Sequence, residues 1–335
     1  MGISRPGRRN AAAEHGVNLE PTLEAVVPEA GAGTRLEAFV RGRFPGSSLT
    51  QVRRLIAEGL VRVNDRHAPK GYRLRAGDRV RVERAPARAD WTPAPAAVDG
   101  ILVVYEDLEL LAVAKPAGVP SVPQRPDETG TVANALVAHD PSLAGLGRTP
   151  RDAGLISRLD NGTSGLLVAA RTRPAFGELL RANAAGELRK GYLALVEGIR
   201  RTPWPTRIRR PLEARGPRGG VVVAGAESET GDVPETRILR TRAGVEGTLV
   251  VAELRHGERH QIRAHLAAVG HPVWGDVERG GRPLGDGGRL ALHAAWVELP
   301  HPRTGHRLRL ETPPMEPLAS ALRAARLPVR QREEP

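Results

Sequence analysis

The chain has 335 residues, 40% of them hydrophobic, which is enough for one sizeable core plus a smaller module. It has no cysteine, which excludes disulfides, thiolate metal sites and thiol nucleophiles. No run approaches the ~18 apolar residues of a membrane helix and the first thirty residues lack a signal core, so a soluble, cytoplasmic protein that does not engage membranes is expected. The net charge of +12 favours a polyanionic partner, because cations that neutralise phosphates release condensed counterions. A GC-rich coding sequence would also enrich arginine, so the placement of charge carries more information than its total. Thirteen basic and five acidic residues fall between Thr34 and Arg84, an excess of eight in one short segment.

Residues 1–33, rich in Ala, Gly and Glu without apolar periodicity, read as a disordered tail. From Thr34, a possible N-cap, Leu36, Phe39 and Val40 recur at helical spacing; Val52, Leu55 and Ile56 do so after a second possible cap, Ser48. Gly59 then ends the second helix, and Leu60-Val61-Arg62-Val63-Asn64 and Asp78-Arg79-Val80-Arg81-Val82 form a strand pair turned through Asp65 and Pro69. In Arg35-Leu36-Glu37, Val52-Arg53-Arg54-Leu55-Ile56, Gly59 to Asn64 and Ala76-Gly77-Asp78, residues 34–84 resemble the small α/β RNA-binding module named after a ribosomal small-subunit protein. Arg35, Arg53, Arg54 and Arg62 are its candidate RNA contacts, with Arg53 and Arg54 on the outer face of the second helix where guanidinium forks can pair with phosphates. The alternative is a solvated basic face. Three Phe and three Tyr in the whole chain are too few for base stacking to dominate binding.

Residues 85–99, with Pro86, Pro93 and Pro95 among alanines, suit a semi-stiff linker. A second domain is expected over 100–325, followed by a tail at 326–335. Strand patterns recur at 101–104, 110–113, 165–169, 191–196, 248–254 and 290–299, and helical ones at 132–139, 174–183 and 260–269. Their irregular interleaving predicts an α+β fold, with a mixed, mainly antiparallel sheet flanked by helices. Residues 202–232, rich in Arg, Pro and Gly, look like a long excursion outside the core.

Arg158-Leu159-Asp160 before Asn161-Gly162 sets a carboxylate at a strand end beside a turn, with Thr163 and Ser164 able to bond it or the loop. Alone, such an aspartate is more often a turn residue. Three other patterns accompany it: Tyr105-Glu106-Asp107 leading into Leu110 to Lys115-Pro116-Ala117-Gly118; Lys190-Gly191-Tyr192; and Gly257-Glu258-Arg259-His260-Gln261-Ile262-Arg263-Ala264-His265-Leu266, followed by Gly270-His271-Pro272-Val273-Trp274-Gly275-Asp276. With Asp160, and with Leu292-His293 and His301-Pro302 in the same order, residues 101–314 resemble the RluA-type pseudouridine synthases.

The resemblance implies an RNA-modifying isomerase in which Asp160 is the essential aspartate, Tyr192 lies against the uracil, and Arg263 pairs with the aspartate. Arg158, Lys115, His260 and Gln261 are candidate substrate contacts, and Leu166 and Ile262 candidate apolar walls. Converting uridine to pseudouridine breaks N1–C1′, turns the uracil and joins C5 to C1′, so a carboxylate can act as nucleophile or stabilise a cationic sugar. No metal or other cofactor is needed. A zinc reading of His256, His260 and His265 is disfavoured, since only the first pair has i, i+4 spacing and a third ligand is lacking. The chain departs from the family pattern at Ser157, Val122 and Glu258, where His or Asn, His, and Arg respectively are common. Ribosomal RNA is preferred over transfer RNA as the partner, on the strength of the upstream module, and a monomer is expected. The rivals are a non-catalytic RNA-binding or ribosome-assembly factor and a hydrolase that releases uracil.

Overall fold

The computed structural model describes residues 22–44, 47, 49–69, 71–86, 91–215, 220–226, 233–285 and 287–329. They form two compact units, divided between residues 89 and 90.

In the first unit, strand β1 (Leu23–Val26) precedes helices α1 (Leu36–Arg43) and α2 (Leu49–Ala57), which are followed by β2 (Val61–Val63), β3 (Arg66–His67) and β4 (Arg79–Val82). The apolar helical positions and the alternating valines of β2 and β4 close one core: Leu36, Val40, Val52, Val61, Val80 and Val82 are all fully buried. Gly59 stops α2 at φ +76°, with Leu60 N–H donating back to Leu55 O (2.9 Å), a left-handed termination that glycine adopts without steric cost. Asp78 closes the β2–β4 connection, accepting from Asn64 Nδ2 (2.9 Å) and Arg75 N–H (2.8 Å). Two expectations change. Residues 23–26 are not tail: β1 pairs antiparallel with β4, Leu23 opposite Val82, because the outer edge of β4 otherwise leaves its peptide groups unpaired. Arg35 rather than Thr34 occupies the N-cap of α1, with no side-chain cap. Ser48 and residues 1–21 lie outside the described residues.

The second unit holds β5 (Leu102–Glu106), β6 (Leu110–Lys115), α3 (Val132–His139), β7 (Ser164–Ala170), α4 (Arg173–Ala184), β8 (Arg189–Glu197), β9 (Arg207–Arg209), β10 (Leu212–Arg215), β11 (Gly220–Val223), β12 (Glu235–Ala243), β13 (Gly247–Leu254), α5 (Gln261–Ala268), β14 (Leu292–Pro300), β15 (Arg307–Glu311) and α6 (Leu318–Ala324). Nine strands make one sheet in the order β5-β6-β7-β14-β8-β13-β12-β9, with β15 also on β14. Among the described residues only the β7–β14 pair is parallel, so the fold is the α+β, mainly antiparallel one anticipated. One core cluster lies around β6, β7, α3 and α4, and another around β8, β13, α5 and α6. The continuous apolar runs of β6 and β7 are buried on both faces, as in central strands.

Several boundaries move. Residues 91–99 lie on the second unit: Asn134 Nδ2 donates to Ala94 O (2.7 Å), and its backbone carbonyl accepts from Ala96 N–H (3.3 Å). The chain beyond 325 is likewise not all tail, since Leu327 is 5% exposed and Val329 packs on the second cluster. Residues 202–232 are not wholly excursion either. β9 adds to β12 and buries Ile208, while β10 and β11 form a separate hairpin with Val221 buried; residues 216–219 and 227–232 lie outside the described residues.

The parallel pair depends on Gly165, at φ +118°, where a Cβ would overlap the Ala294 backbone. Beside it Ser164 Oγ meets His293 Nδ1 at 2.9 Å, and His293 Nε2 meets Thr312 O at 3.3 Å. A carbonyl only accepts, so Nε2 carries the proton and Nδ1 accepts from the serine hydroxyl. Burial pulls the His293 imidazolium down to about 4. Below pH ~6.5 the unfolded chain takes up this proton and the folded one resists it, so the stability contribution is complete above ~6.5 and is lost as pH falls towards 4. In urea titrations, wild type is expected to lose about 3 kcal/mol more than His293→Gln between pH 7 and 4. Gly165→Ala is expected to cost about 2 kcal/mol or more at either pH.

Candidate active site

Asp160 does not end a strand, as its sequence context suggests; it sits in the irregular stretch 157–163 that precedes β7. That stretch is fixed almost entirely through its backbone. Ser121 Oγ accepts from Leu159 N–H and donates to Leu159 O, both at 3.0 Å. Asn161 O accepts from Gly118 N–H (2.6 Å) and from Lys115 Nζ (3.2 Å), and Gly162 O accepts from Leu290 N–H (2.9 Å). Gly162 lies so close to Gly288 O that a Cβ would overlap it. Thr163 N–H donates back to Asp160 O (3.0 Å), closing the turn, whereas the Thr163 and Ser164 hydroxyls do not bond the carboxylate.

Lys115 is therefore not an exposed contact. It is fully buried at the end of β6, and Nζ also donates to Pro116 O (3.0 Å) and Val119 O (2.7 Å). Three carbonyls around one nitrogen match the three N–H groups of an ammonium. Burial pulls its pKa down to about 7, opposed by the charge of Asp160.

The Asp160 side chain is 24% exposed, and α5 brings a guanidinium and an imidazole to it. Arg263 Nη1 donates to Oδ2 at 3.2 Å, and His260 Nε2 lies 3.7 Å from Oδ1. Arg263 is held more firmly behind: Nε and Nη2 make a two-pronged bond to Asp276, 2.8 Å each, and Asp276 is 1% exposed. Burial opposes the Arg263 charge, but bonding to Asp276 and then Asp160 keeps its pKa above the ordinary arginine value. His260 occupies the N-cap of α5 at φ +56°. Burial lowers its pKa; Asp160 opposes that shift, and Arg263, Arg279 and Arg259 reinforce it. Tyr192, half-buried on β8, has its hydroxyl pushed well above the ordinary tyrosine value by burial and then by the charge of Asp160.

Arg158 is exposed and bonds to none of the described residues. Ile262 and Leu166 are both core, 4% and 6% exposed, in different clusters. Gln261 faces inward: Nε2 donates to Glu235 O (2.9 Å) and to Thr236 Oγ1 (3.3 Å), and Oε1 accepts from Glu258 N–H (2.9 Å), so it ties α5 to β12. His265 is equally buried, between Thr236 Oγ1 (2.9 Å) and Arg210 O (3.1 Å). Asp276 and Ser121 had no role assigned from sequence, and neither did Arg279. Only Asp276 carried a signal, as the carboxylate of Gly275-Asp276 just beyond α5.

Reached from Asp160 through His260, a groove of about 760 Å³ runs between α5 and the β10–β11 hairpin, lined by Arg210, Val221, Arg259, His260, Glu278 and Arg279 among others. Its walls join guanidinium groups to small apolar side chains. In the first unit, Arg35 is exposed at the start of α1. Arg53, Arg54 and Arg62 are partly or largely exposed but each meets a carboxylate: Glu37 (3.4 Å), Glu58 (2.7 Å) and Glu83 (3.1 Å). Their charges are thus partly balanced at rest; the part-exposed pairs of Arg54 and Arg62 contribute little stability, while the Glu37 that meets Arg53 is buried.

Residues 109–268 match the family model described as RNA pseudouridylate synthase, and residues 34–80 match the S4 domain. The ribosomal large subunit pseudouridine synthase D of Neisseria meningitidis is 32% identical over 92% of this chain and 83% of its own. The protein of that name from Nitrosomonas europaea is 32% identical over 92% of this chain and 89% of its own. In fold, the human RNA pseudouridylate synthase domain-containing 4 structure superposes with a TM-score of 0.50 and 22% identity, covering 67% of this chain and 92% of that one.

Lys115→Met is expected to destabilise the protein by about 2–4 kcal/mol, since it leaves buried carbonyls without their charged donor. Chemical denaturation checks this; a loss below about 1 kcal/mol would contradict the anchoring role given to Lys115.

Proposed function

This chain belongs to the RNA pseudouridylate synthase family, and from that premise we propose that it isomerises specific uridines of large-subunit ribosomal RNA to pseudouridine, with Asp160 as the carboxylate at the reacting sugar. The observation that carries the assignment is the Asp160 carboxylate, part-exposed, oriented by Arg263 at 3.2 Å and faced by His260 at 3.7 Å.

The target nucleotide leaves its stack to reach Asp160, which costs a few kcal/mol and favours unpaired or loop uridines. As nucleophile at C1′, or as counter-charge to an oxocarbenium ion, the carboxylate lets the N1–C1′ bond break with its electron pair on the uracil. The freed ring turns so that C5 faces C1′, the C5–C1′ bond forms as any carboxylate–C1′ bond breaks and returns its electron pair to Asp160, and loss of the C5 proton with gain of one at N1 restores the ring. Arg263 keeps the carboxylate aimed until that bond closes. Tyr192, whose hydroxyl stays protonated, supplies a flat wall for the uracil. The groove of about 760 Å³ suits the flanking strand, the guanidinium groups of Arg210 and Arg259 meeting its phosphates and the valine and alanine surface its sugars. The substrate class is taken from the names of the relatives together with the basic S4-type module. A transfer RNA substrate is the second reading, and a monomer is the working form.

Carbodiimide mapping of cellular RNA treated with the protein should reveal new pseudouridine with wild type and none with Asp160→Asn. No new pseudouridine in any RNA fraction with wild type would sink the enzymatic reading, and release of free uracil would favour a hydrolase. Modification confined to the transfer RNA fraction would move the substrate there. Removing residues 1–84 is expected to weaken RNA affinity and flatten its salt dependence more than it slows the chemical step. Filter binding across a salt series, beside single-turnover rates, measures the two effects separately.

A further inference from the structure

Arg279 ends a short 3-10 turn, Val277–Arg279, and its side chain is 10% exposed. Its guanidinium meets three elements. Nη1 donates to Asp276, at 3.3 Å to Oδ1 and 3.5 Å to Oδ2. Nη2 donates to Val221 O on β11 at 2.6 Å and lies 3.4 Å from His260 Nδ1. The hairpin β10–β11 is a sheet of its own, outside the nine-stranded one, so this bond to Val221 is a direct polar tie between the hairpin and the site.

A guanidinium has donors only, so His260 Nδ1 is the acceptor in that contact. The proton of the neutral imidazole then sits on Nε2, the nitrogen that faces Asp160 Oδ1 at 3.7 Å. The same guanidinium shares Asp276 with Arg263, whose Nη1 holds Asp160 Oδ2. Both oxygens of the catalytic carboxylate are thereby addressed through Arg279, one by way of His260 and the other by way of Asp276 and Arg263.

We infer that Arg279 is a positioning residue that couples the seating of the β10–β11 hairpin to the orientation of Asp160, by fixing the His260 tautomer and the Asp276–Arg263 pair. The inference rests on the synthase reading above. It extends that reading because the hairpin also walls the groove assigned to the flanking strand: RNA that seats the hairpin would set the carboxylate, and a loosened hairpin would leave it misaimed. A simple phosphate contact by Arg279 is the competing role, and it would appear in affinity alone.

The test compares full-length wild type, Arg279→Met and Arg279→Lys on an RNA that wild type modifies. Arg279→Met is expected to lower the single-turnover rate at saturating enzyme by roughly 10- to 100-fold, with the RNA Kd changed by less than about threefold. Arg279→Lys keeps a charge beside Asp276 but not the planar fork, and should fall between. NMR of 13C-labelled histidine should show the Nε2–H tautomer of His260 in wild type and a gain of the Nδ1–H form in Arg279→Met. A folded Arg279→Met with the wild-type rate, or a loss confined to Kd, would overturn the coupling. If Arg279→Met fails to fold, a wild-type rate in Arg279→Lys overturns it instead. If wild type modifies no RNA, the synthase reading fails on its own account, and the tautomer of His260 still decides whether Arg279 fixes that ring.

Discussion

Arg263 lies almost out of solvent between two carboxylates, and the site's geometry follows from how that arrangement is kept neutral. A guanidinium removed from water loses several kcal/mol of hydration, which only close partners return. Asp276, fully buried, returns it through a two-pronged bond, while Asp160, partly exposed, takes the remaining Nη1. Arg279 on the far side of Asp276 adds a second cation, and the exposed Glu278 lies near both guanidiniums, 3.7 Å from Arg263 and 3.6 Å from Arg279. The consequence is an asymmetric triad. Asp276 anchors the arginine, and the arginine offers its free corner to a carboxylate that stays partly open to solvent.

A carboxylate aimed this way is useful only if its own backbone is immobile, and the loop that carries it answers to the sheet. Lys115 at the end of β6 and the Gly118 amide hold one carbonyl, Leu290 just before β14 holds the next, and Ser121 grips both peptide groups of Leu159. The parallel β7–β14 contact, possible because Gly165 has no side chain, sets the spacing between these anchors. Strand ends thus position the loop and α5 positions its counter-ion, so two separate core clusters converge on one side chain.

Charge for RNA is distributed differently in the two units. In the S4-type module Arg54 and Arg62 rest in part-exposed pairs with Glu58 and Glu83, which phosphates can displace at small cost, whereas Arg53 pairs with the buried Glu37. In the synthase unit the groove reached from Asp160 through His260 mixes arginines with valine and alanine, a surface suited to a strand rather than to an isolated ion. Affinity and chemistry are therefore expected to respond to different substitutions, the first to the module and the second to the anchors of Asp160.

The family, the α+β class, α3 to within a residue, and the pairing of β2 with β4 were all legible in the sequence. They depend on local periodicity, turn residues and ordered motifs, which act over a few residues. Asp160, Tyr192 and Arg263 could be named for the same reason, through motifs rather than through any contact visible in the chain. What the sequence could not disclose was long-range: that residues 23–26 complete a sheet with β4, that β9 joins the large sheet, and that Lys115, Gln261 and Leu166 are buried. Those outcomes are decided by which peptide groups and side chains find partners tens or hundreds of residues away. Asp276 and Arg279 show this most plainly: in the sequence they are two charges three positions apart, and only the packing of α5 against the hairpin makes one the anchor of Arg263 and the other its link to β11.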